Sequence, residues 1–386
     1  MLIHAAYWIT IAHLPKWTIQ KINTLIKNIY VVYNSNLEEF FASEITIWKS
    51  KYELGETDIL TLSAAKFQIA NNAFLAENLY NQGFEIVPLN DADYPPILKA
   101  NLKLSYSPPV LYIKGNKILL KEDSIAIVGS RNASESGLAF TDTVAKNASD
   151  SFQVVVSGFA KGIDKAALDS ALKYHGHSII VLPQGVLTFG SGYKKYYKPI
   201  IDGDLLVLST FHPKAPWKVE LAMARNPIIY GMANSIFVAE SSDSGGTWSG
   251  VKDGLPNGRT IFVRKQDIAE ANANDKLISL GAIAVDSKGK IIEEQSALVK
   301  QIPEYQTTPD FAERIIAIVS YKALSSKEIC VKLECNWTTR QMTDYLKEIE
   351  SIEVVKQGKV NKYKLRNTID SQQTIDFDCA EENKNN

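Results

Sequence analysis

Apolar positions follow two different rhythms along the chain, and the changes between them divide it. Up to about residue 85 the spacing is helical. Ile19, Ile22, Leu25 and Ile26 recur on one face, and a second run passes from Leu62 through Ala65, Phe67, Ile69, Ala73, Leu75 and Leu79 to Tyr80. Paired prolines at 95–96 and 108–109 then favour extended backbone, leading into a strand at 110–113. From Ser124 to about Val299, short apolar strand candidates at 125–128, 154–156, 179–182, 205–208, 236–239 and 261–263 alternate with helical stretches. That alternation predicts an α/β fold, a doubly wound parallel sheet. Past a proline-flanked linker at 301–310, Phe311, Ile315, Ile316 and Val319 line one helix, while Ser325-x-x-Glu328 and Thr338-x-x-Gln341 are capping boxes for two more. A hairpin of 352–355 and 360–365 turns at Gln357-Gly358-Lys359, and three helices with a two-stranded wing make a winged helix-turn-helix. The expected organisation is a helical domain at 1–85, an α/β domain at 86–300, the linker, a winged helix at 311–367, and a polar, acidic, disordered tail at 368–386.

Chemistry concentrates where predicted strands end in glycine. The run Ile127-Val128-Gly129-Ser130-Arg131 leaves a strand, crosses a polar loop and enters a helix by Leu138. Such a turn points backbone N–H groups and a helix N-terminus outward, a ready anion site, and the planar fork of Arg131 can hold a phosphate. Thirty residues on, Ser157-Gly158-Phe159-Ala160-Lys161-Gly162-Ile163-Asp164 repeats the arrangement, so neighbouring parallel strands would deliver both loops to one carboxyl rim. Neither loop carries the G-x-G-x-x-G dinucleotide fingerprint. Ser244-Gly245-Gly246-Thr247 is a third anion-friendly turn, and Arg225-Asn226 either presents a guanidinium at the same rim or caps a helix. The run 193–198, with Lys194, Lys195 and Lys198 among tyrosines, reads equally as a single-strand nucleic-acid surface or as a solvated face with half-buried tyrosines. Lys218 is a further candidate at the rim.

Composition narrows the class without naming it. Net charge is −1, so no global basic field marks a nucleic-acid partner and any basic surface must be local. Cys330, Cys335 and Cys379 are too few for a disulfide framework, and no histidine stands near the first two to complete a metal site. No apolar run reaches the roughly 18 residues of a membrane span, and the first ten residues lack a basic stretch and a small-residue cleavage site, so a cytoplasmic address is expected. In the helical N-terminal domain there is no glycine-bearing hairpin, which favours protein interaction or dimer spacing over DNA contact.

Taken in order, Tyr94-Pro95-Pro96-x-Leu98, Pro108-Pro109-Val110-Leu111-Tyr112-x-Lys114-Gly115-Asn116, Ile127–Arg131, Gly137, Ser157–Asp164, Arg225-Asn226 and Gly245-Gly246-Thr247 resemble the DNA-processing protein A (DprA/Smf) family of bacteria, over residues 85 to 265. The resemblance implies an extended Rossmann domain, an N-terminal domain of SAM or HhH type, and a terminal winged helix. It implies no enzymatic activity and no cofactor. Its ligand would be single-stranded DNA, its assembly a homodimer, and its partner the RecA recombinase during natural transformation. Arg131 looks like the main phosphate clamp. Gly129, Ser130, Ser157, Gly158, Lys161, Gly162, Gly245, Gly246 and Thr247 look like the cradle, with Arg225 and Asn226 as rim contacts. Asp164 would orient its turn. In the winged helix, Arg340, Lys347, Lys356, Lys359 and Lys362 would meet DNA or a partner. The chain departs from the family pattern at Lys161, which replaces an arginine, at Leu168, which replaces a histidine, and at Pro227, which removes a rim cation. These departures suit a divergent branch, with recombination, transformation or genome defence as roles.

A competing expectation is a nucleotide sensor, or a nucleotide-hydrolysing enzyme of the Rossmann/lysine-decarboxylase-like superfamily, built on Gly245-Gly246-Thr247. Those relatives place a glutamate three residues after the threonine; here that position is Gly250, so the acid/base group is missing. A transcription regulator using the winged helix is the third.

Overall fold

The computed structural model describes residues 2–267 and 270–292, and beyond them 315–316, 318–319, 323–333, 339–347, 349, 351–357 and 360–365. The chain divides into two compact units, Met1–Leu298 and Val299–Asn386.

In the first unit nine strands form one sheet: β1 (Glu85–Pro88), β2 (Val110–Gly115), β3 (Ser124–Gly129), β4 (Val154–Ser157), β5 (Ser178–Val181), β6 (Leu205–Ser209), β7 (Ser235–Glu240), β8 (Thr260–Arg264) and β9 (Ile283–Val285). All six predicted strands of the α/β region are present, each within two residues of its expected ends. Their order is β1-β2-β6-β5-β4-β3-β7-β8-β9, parallel from β6 to β9, with the β1–β2 and β2–β6 pairs antiparallel. The chain builds outward from β3 to β6, then returns to lay β7 against the other side of β3. That reversal opens a crevice at the carboxyl ends of β3 and β7, where open α/β sheets bind ligands.

The strands are apolar on both faces because both are covered. Along β6, Leu206 and Leu208 enter one core with Val128, Val156, Val181 and Val238, while Leu205 and Val207 enter another with Ile180 and Leu182. Helices Glu135–Asp150 and Ile163–Lys173 pack over Ile125, Ile127 and Val155. The helices of residues 2–81 share the sheet's own cores: Trp8, Phe40 and Trp48 lie in one cluster with Leu111 and Ile113, and Ala5, Leu75 and Leu79 lie in another with Tyr112 and Val207. His13 Nε2 lies 2.8 Å from Tyr112 Oη.

The periodic run 62–80 is two helices rather than one. Glu56–Lys66 ends before Ile69–Asn81 begins, the helical phase restarts at the turn, and Phe67 is left 82% exposed. The prolines at 95–96 open a further helix, Pro96–Tyr106, and the preceding Tyr94 is buried with its hydroxyl donating to Pro108 O at 2.8 Å.

In the second unit, Ser326–Lys332 and Thr339–Leu346 are helices, and Ile352–Gln357 pairs antiparallel with Val360–Leu365. The predicted capping box forms at the first helix: Ser325 N donates to Glu328 Oε2 at 2.7 Å, and Glu328 N donates to Ser325 Oγ at 3.4 Å. Ile315, Val319, Ile329, Met342, Leu346 and Tyr363 are buried together. Two of the three helices expected of a winged helix and its hairpin lie among the described residues; Phe311 and most of the expected first helix, the linker 301–310, Thr338, Lys359 and the tail 368–386 lie outside them.

The Tyr94–Pro108 bond supports a stability prediction. Tyr94→Phe leaves a carbonyl unpaired beside the edge strand and should lower unfolding stability by about 1–2 kcal/mol, read by urea titration. An unchanged midpoint would show that the bond contributes nothing.

Candidate nucleic-acid interface

Gly129 closes β3, and Ser134 caps the helix that follows, its side chain accepting from Gly137 N at 3.1 Å. Two bonds fix the intervening loop. Ser130 N donates to Glu240 O at 2.8 Å, and Ile163 N donates to Ser130 O at 3.1 Å. The second requires Gly162, whose φ is +87° and where a Cβ would lie 2.3 Å from Ser130 O. The two glycine turns predicted to share a rim are therefore in direct contact.

A cleft of about 440 Å³ opens above them at the β3/β7 reversal. Ser130, Arg131 and Asn132 line it from the loop after β3, and Ser242, Ser244 and Gly245–Thr247 from the loop after β7. Helix Gly245–Gly254 begins there with no side-chain cap from Ser244, so its first N–H groups have no side-chain acceptor at the N-cap. Val219, Met223, Ile229 and Tyr230 add an apolar flank, and Asn226 Nδ2 donates to Gly246 O at 3.3 Å.

Beneath the cleft lies an ion pair. Arg225, 4% exposed, places Nη2 3.5 Å from Asp164 Oδ2 and donates from Nη1 to Val181 O at 3.0 Å. Burial raises the Asp164 pKa, opposed by the Arg225 charge, and burial lowers that of Arg225, opposed by Asp164. Each needs the other to stay ionised there. Gly158 makes room for the guanidinium: a Cβ there would lie 1.6 Å from Arg225 Nη1.

Of the twelve residues expected to bind phosphate, Gly129, Ser130, Arg131, Arg225, Asn226, Gly245, Gly246 and Thr247 line the cleft, as does the supporting Asp164. Ser157 is buried, its hydroxyl donating to Ile127 O, while Gly158 and Gly162 act as spacers and Lys161 is exposed outside the lining. Arg225 faces the cleft from below rather than standing at its rim.

The run 193–198 is largely spent on structure. Tyr193 and Tyr196 pack against Phe189, Phe159 and the core, and Lys195 lies 3.2 Å from Asp169, which also accepts from Tyr196 Oη at 2.5 Å. Lys194, Lys198 and Lys218 are exposed and outside the cleft lining. In the second unit Lys347 sits 3.0 Å from Asp344, Lys356 is exposed and Lys362 half-buried on the hairpin, and Arg340 lies on helix Thr339–Leu346.

Reasoning from sequence named Ser244 as part of the third turn but missed Asn132, Ser242 and the apolar flank. Asn132 and Ser242 had a signal, being small polar residues in the same strand-end loops. Val219 and Met223 had none, since a short helix with exposed apolar positions looks like any surface turn.

No group of His, Cys, Asp and Glu able to hold a metal occurs among the described residues, and no helix among them is long and apolar enough to cross a membrane.

The family model for DNA recombination-mediator protein A matches residues 85–296, which include the whole cleft. The chain belongs to that family. It is 34% identical over 191 residues to DNA processing protein DprA of Streptococcus pneumoniae, covering 49% of this chain and 67% of the relative. It is 31% identical over 221 residues to DNA processing protein DprA of Bacillus subtilis, covering 55% and 72%. The X-ray structure of the Streptococcus pneumoniae protein superposes with a TM-score of 0.56 at 28% identity, covering 73% of this chain and 98% of that one.

The buried pair yields a prediction. Asp164→Asn strands the Arg225 charge under the cleft and should cost about 3 kcal/mol of stability in urea unfolding. A loss below about 1 kcal/mol would mean that Arg225 is solvated and the pair is not holding the cleft floor.

Proposed function

We propose that this protein binds single-stranded DNA in the cleft at the β3/β7 reversal and handles it, without cleaving it, in recombination, natural transformation or genome defence. One observation carries the reading: Arg131 and the start of helix Gly245–Gly254, which has no side-chain cap, line the same cleft. Arg225 and Asp164 neutralise each other below, so attraction for a phosphate falls to Arg131 and the backbone dipoles. Family membership, and relatives named as DNA processing proteins, support it.

Hydrolysis of a free nucleotide is the weaker reading. Asp164 is the one carboxylate lining the cleft among the described residues, and Arg225 holds it. Gly250, where a general acid would stand, packs against the Tyr230 ring. The second unit, read as a winged helix, would offer Arg340, Lys347, Lys356, Lys359 and Lys362 to duplex DNA or to a partner. A homodimer, a RecA partner and a cytoplasmic address complete the proposal, on the family resemblance.

Fluorescence anisotropy with an oligothymidylate tests it. Each phosphate contact should contribute about −0.7 to the slope of log K against log salt, so a cleft holding three gives about −2. Arg131→Ala should weaken binding tenfold or more, and Lys194→Ala about twofold or less, because Arg131 lines the cleft next to the braced Ser130 whereas Lys194 is exposed outside the lining. A flat salt response, or equal losses in the two variants, would overturn the phosphate-cradle reading, and tighter binding of a free nucleotide than of the strand would favour its competitor.

A further inference from the structure

A second cleft, of about 380 Å³, lies against the same helix whose first turn walls the phosphate site. Its lining is Trp248 and Lys252, one turn apart on helix Gly245–Gly254, together with Asp275, Lys276, Ser279 and Leu280 from the next helix and its end. Trp248 follows Thr247 directly, so the two clefts flank one turn of backbone. The Trp248 ring is half-buried, seated on the main core, and shares this cleft with Leu280, itself 52% exposed. Lys252 is exposed, and Lys276 lies 3.5 Å from Asp243, both side chains 66% exposed.

We infer that this second cleft receives the neighbouring nucleotide of the bound strand, its base stacked against Trp248 and its phosphate shared by Lys252 and Lys276. The inference rests on the single-strand reading of the first cleft. A single strand offers a π-face on every base and a phosphate at every step, so a path that tracks it needs aromatic rings interleaved with cations. The first cleft supplies anion chemistry and an apolar flank whose aromatic member, Tyr230, is only 6% exposed. The second supplies the ring and two ammonium groups, one turn of helix away. Asp275 and Asp243 leave it nearly neutral, so stacking rather than net charge would do most of the holding. Lys276 would exchange its weak solvent-exposed pairing with Asp243 for the phosphate.

The test uses the full chain, an oligothymidylate, and the same oligomer carrying abasic positions. Trp248→Leu should weaken oligothymidylate binding about tenfold, Trp248→Phe should restore most of it, and the abasic strand should bind wild type and Trp248→Leu alike. Lys252→Ala with Lys276→Ala should make the salt slope shallower by about 0.7. Equal binding of oligothymidylate by wild type and Trp248→Leu, or an equal loss on the abasic strand, overturns the inference. If Trp248→Leu fails to fold, Lys252→Glu with Lys276→Glu decides, since both side chains are exposed: a several-fold loss supports the subsite and no loss removes it. Loss of binding in Arg131→Ala with none in the Trp248 and lysine variants would remove this subsite and leave the phosphate cleft standing. A wild-type protein that ignores the oligomer would remove both.

Discussion

The Arg225–Asp164 pair is the constraint on which the rest of the site depends. Asp164 sits in the first turn of the helix after β4, and Arg225 comes from the junction of two helices after β6, donating to the last residue of β5. One buried contact thus ties three strand ends together beneath the cleft. The geometry explains residue choices that otherwise look unrelated: Gly158 because the guanidinium occupies the space of a side chain, and Gly162 because the Ser130 loop rests on its backbone. A charge pair removed from water is a poor source of stability compared with apolar packing, but breaking it is costly, so it fixes position more than it adds free energy.

That neutral floor also decides where ligand charge can be met. With the chain near electroneutral overall, no long-range field draws in a polyanion, and the run 193–198 spends its side chains on packing and on Asp169. What remains is short-range: one exposed guanidinium on a braced loop and a helix start lacking a side-chain cap. Such a site favours a ligand that brings its phosphate close and continues past it, rather than one attracted from a distance.

Much of this was legible beforehand. The six strands showed as short apolar runs alternating with helical stretches, and the three anion-friendly turns showed as glycine-bearing loops after strands. What one sequence hides is which side of the rim a residue occupies. Arg225 and Arg131 are both arginines at strand or helix ends, yet one is buried against a carboxylate and the other is exposed, a difference set by Gly158 and Asp164, far upstream of Arg225 in the chain. The break at Phe67 was hidden for a related reason: the apolar period resumes after the turn, so the run 62–80 looks continuous. The antiparallel edge formed by β1 and β2 was legible only as proline-punctuated extended chain, since strand direction leaves no mark on local pattern.

We propose that the bound strand lies on the carboxyl rim of the sheet, across β3 and β7. Photo-crosslinking a halogenated-uracil oligonucleotide to the full chain, followed by mass-spectrometric mapping, tests it without altering the protein. Adducts are expected on peptides spanning residues 130–132 and 242–248, lost when unlabelled single strand competes. Adducts confined to residues 311–365, with the rim unmarked, would contradict it.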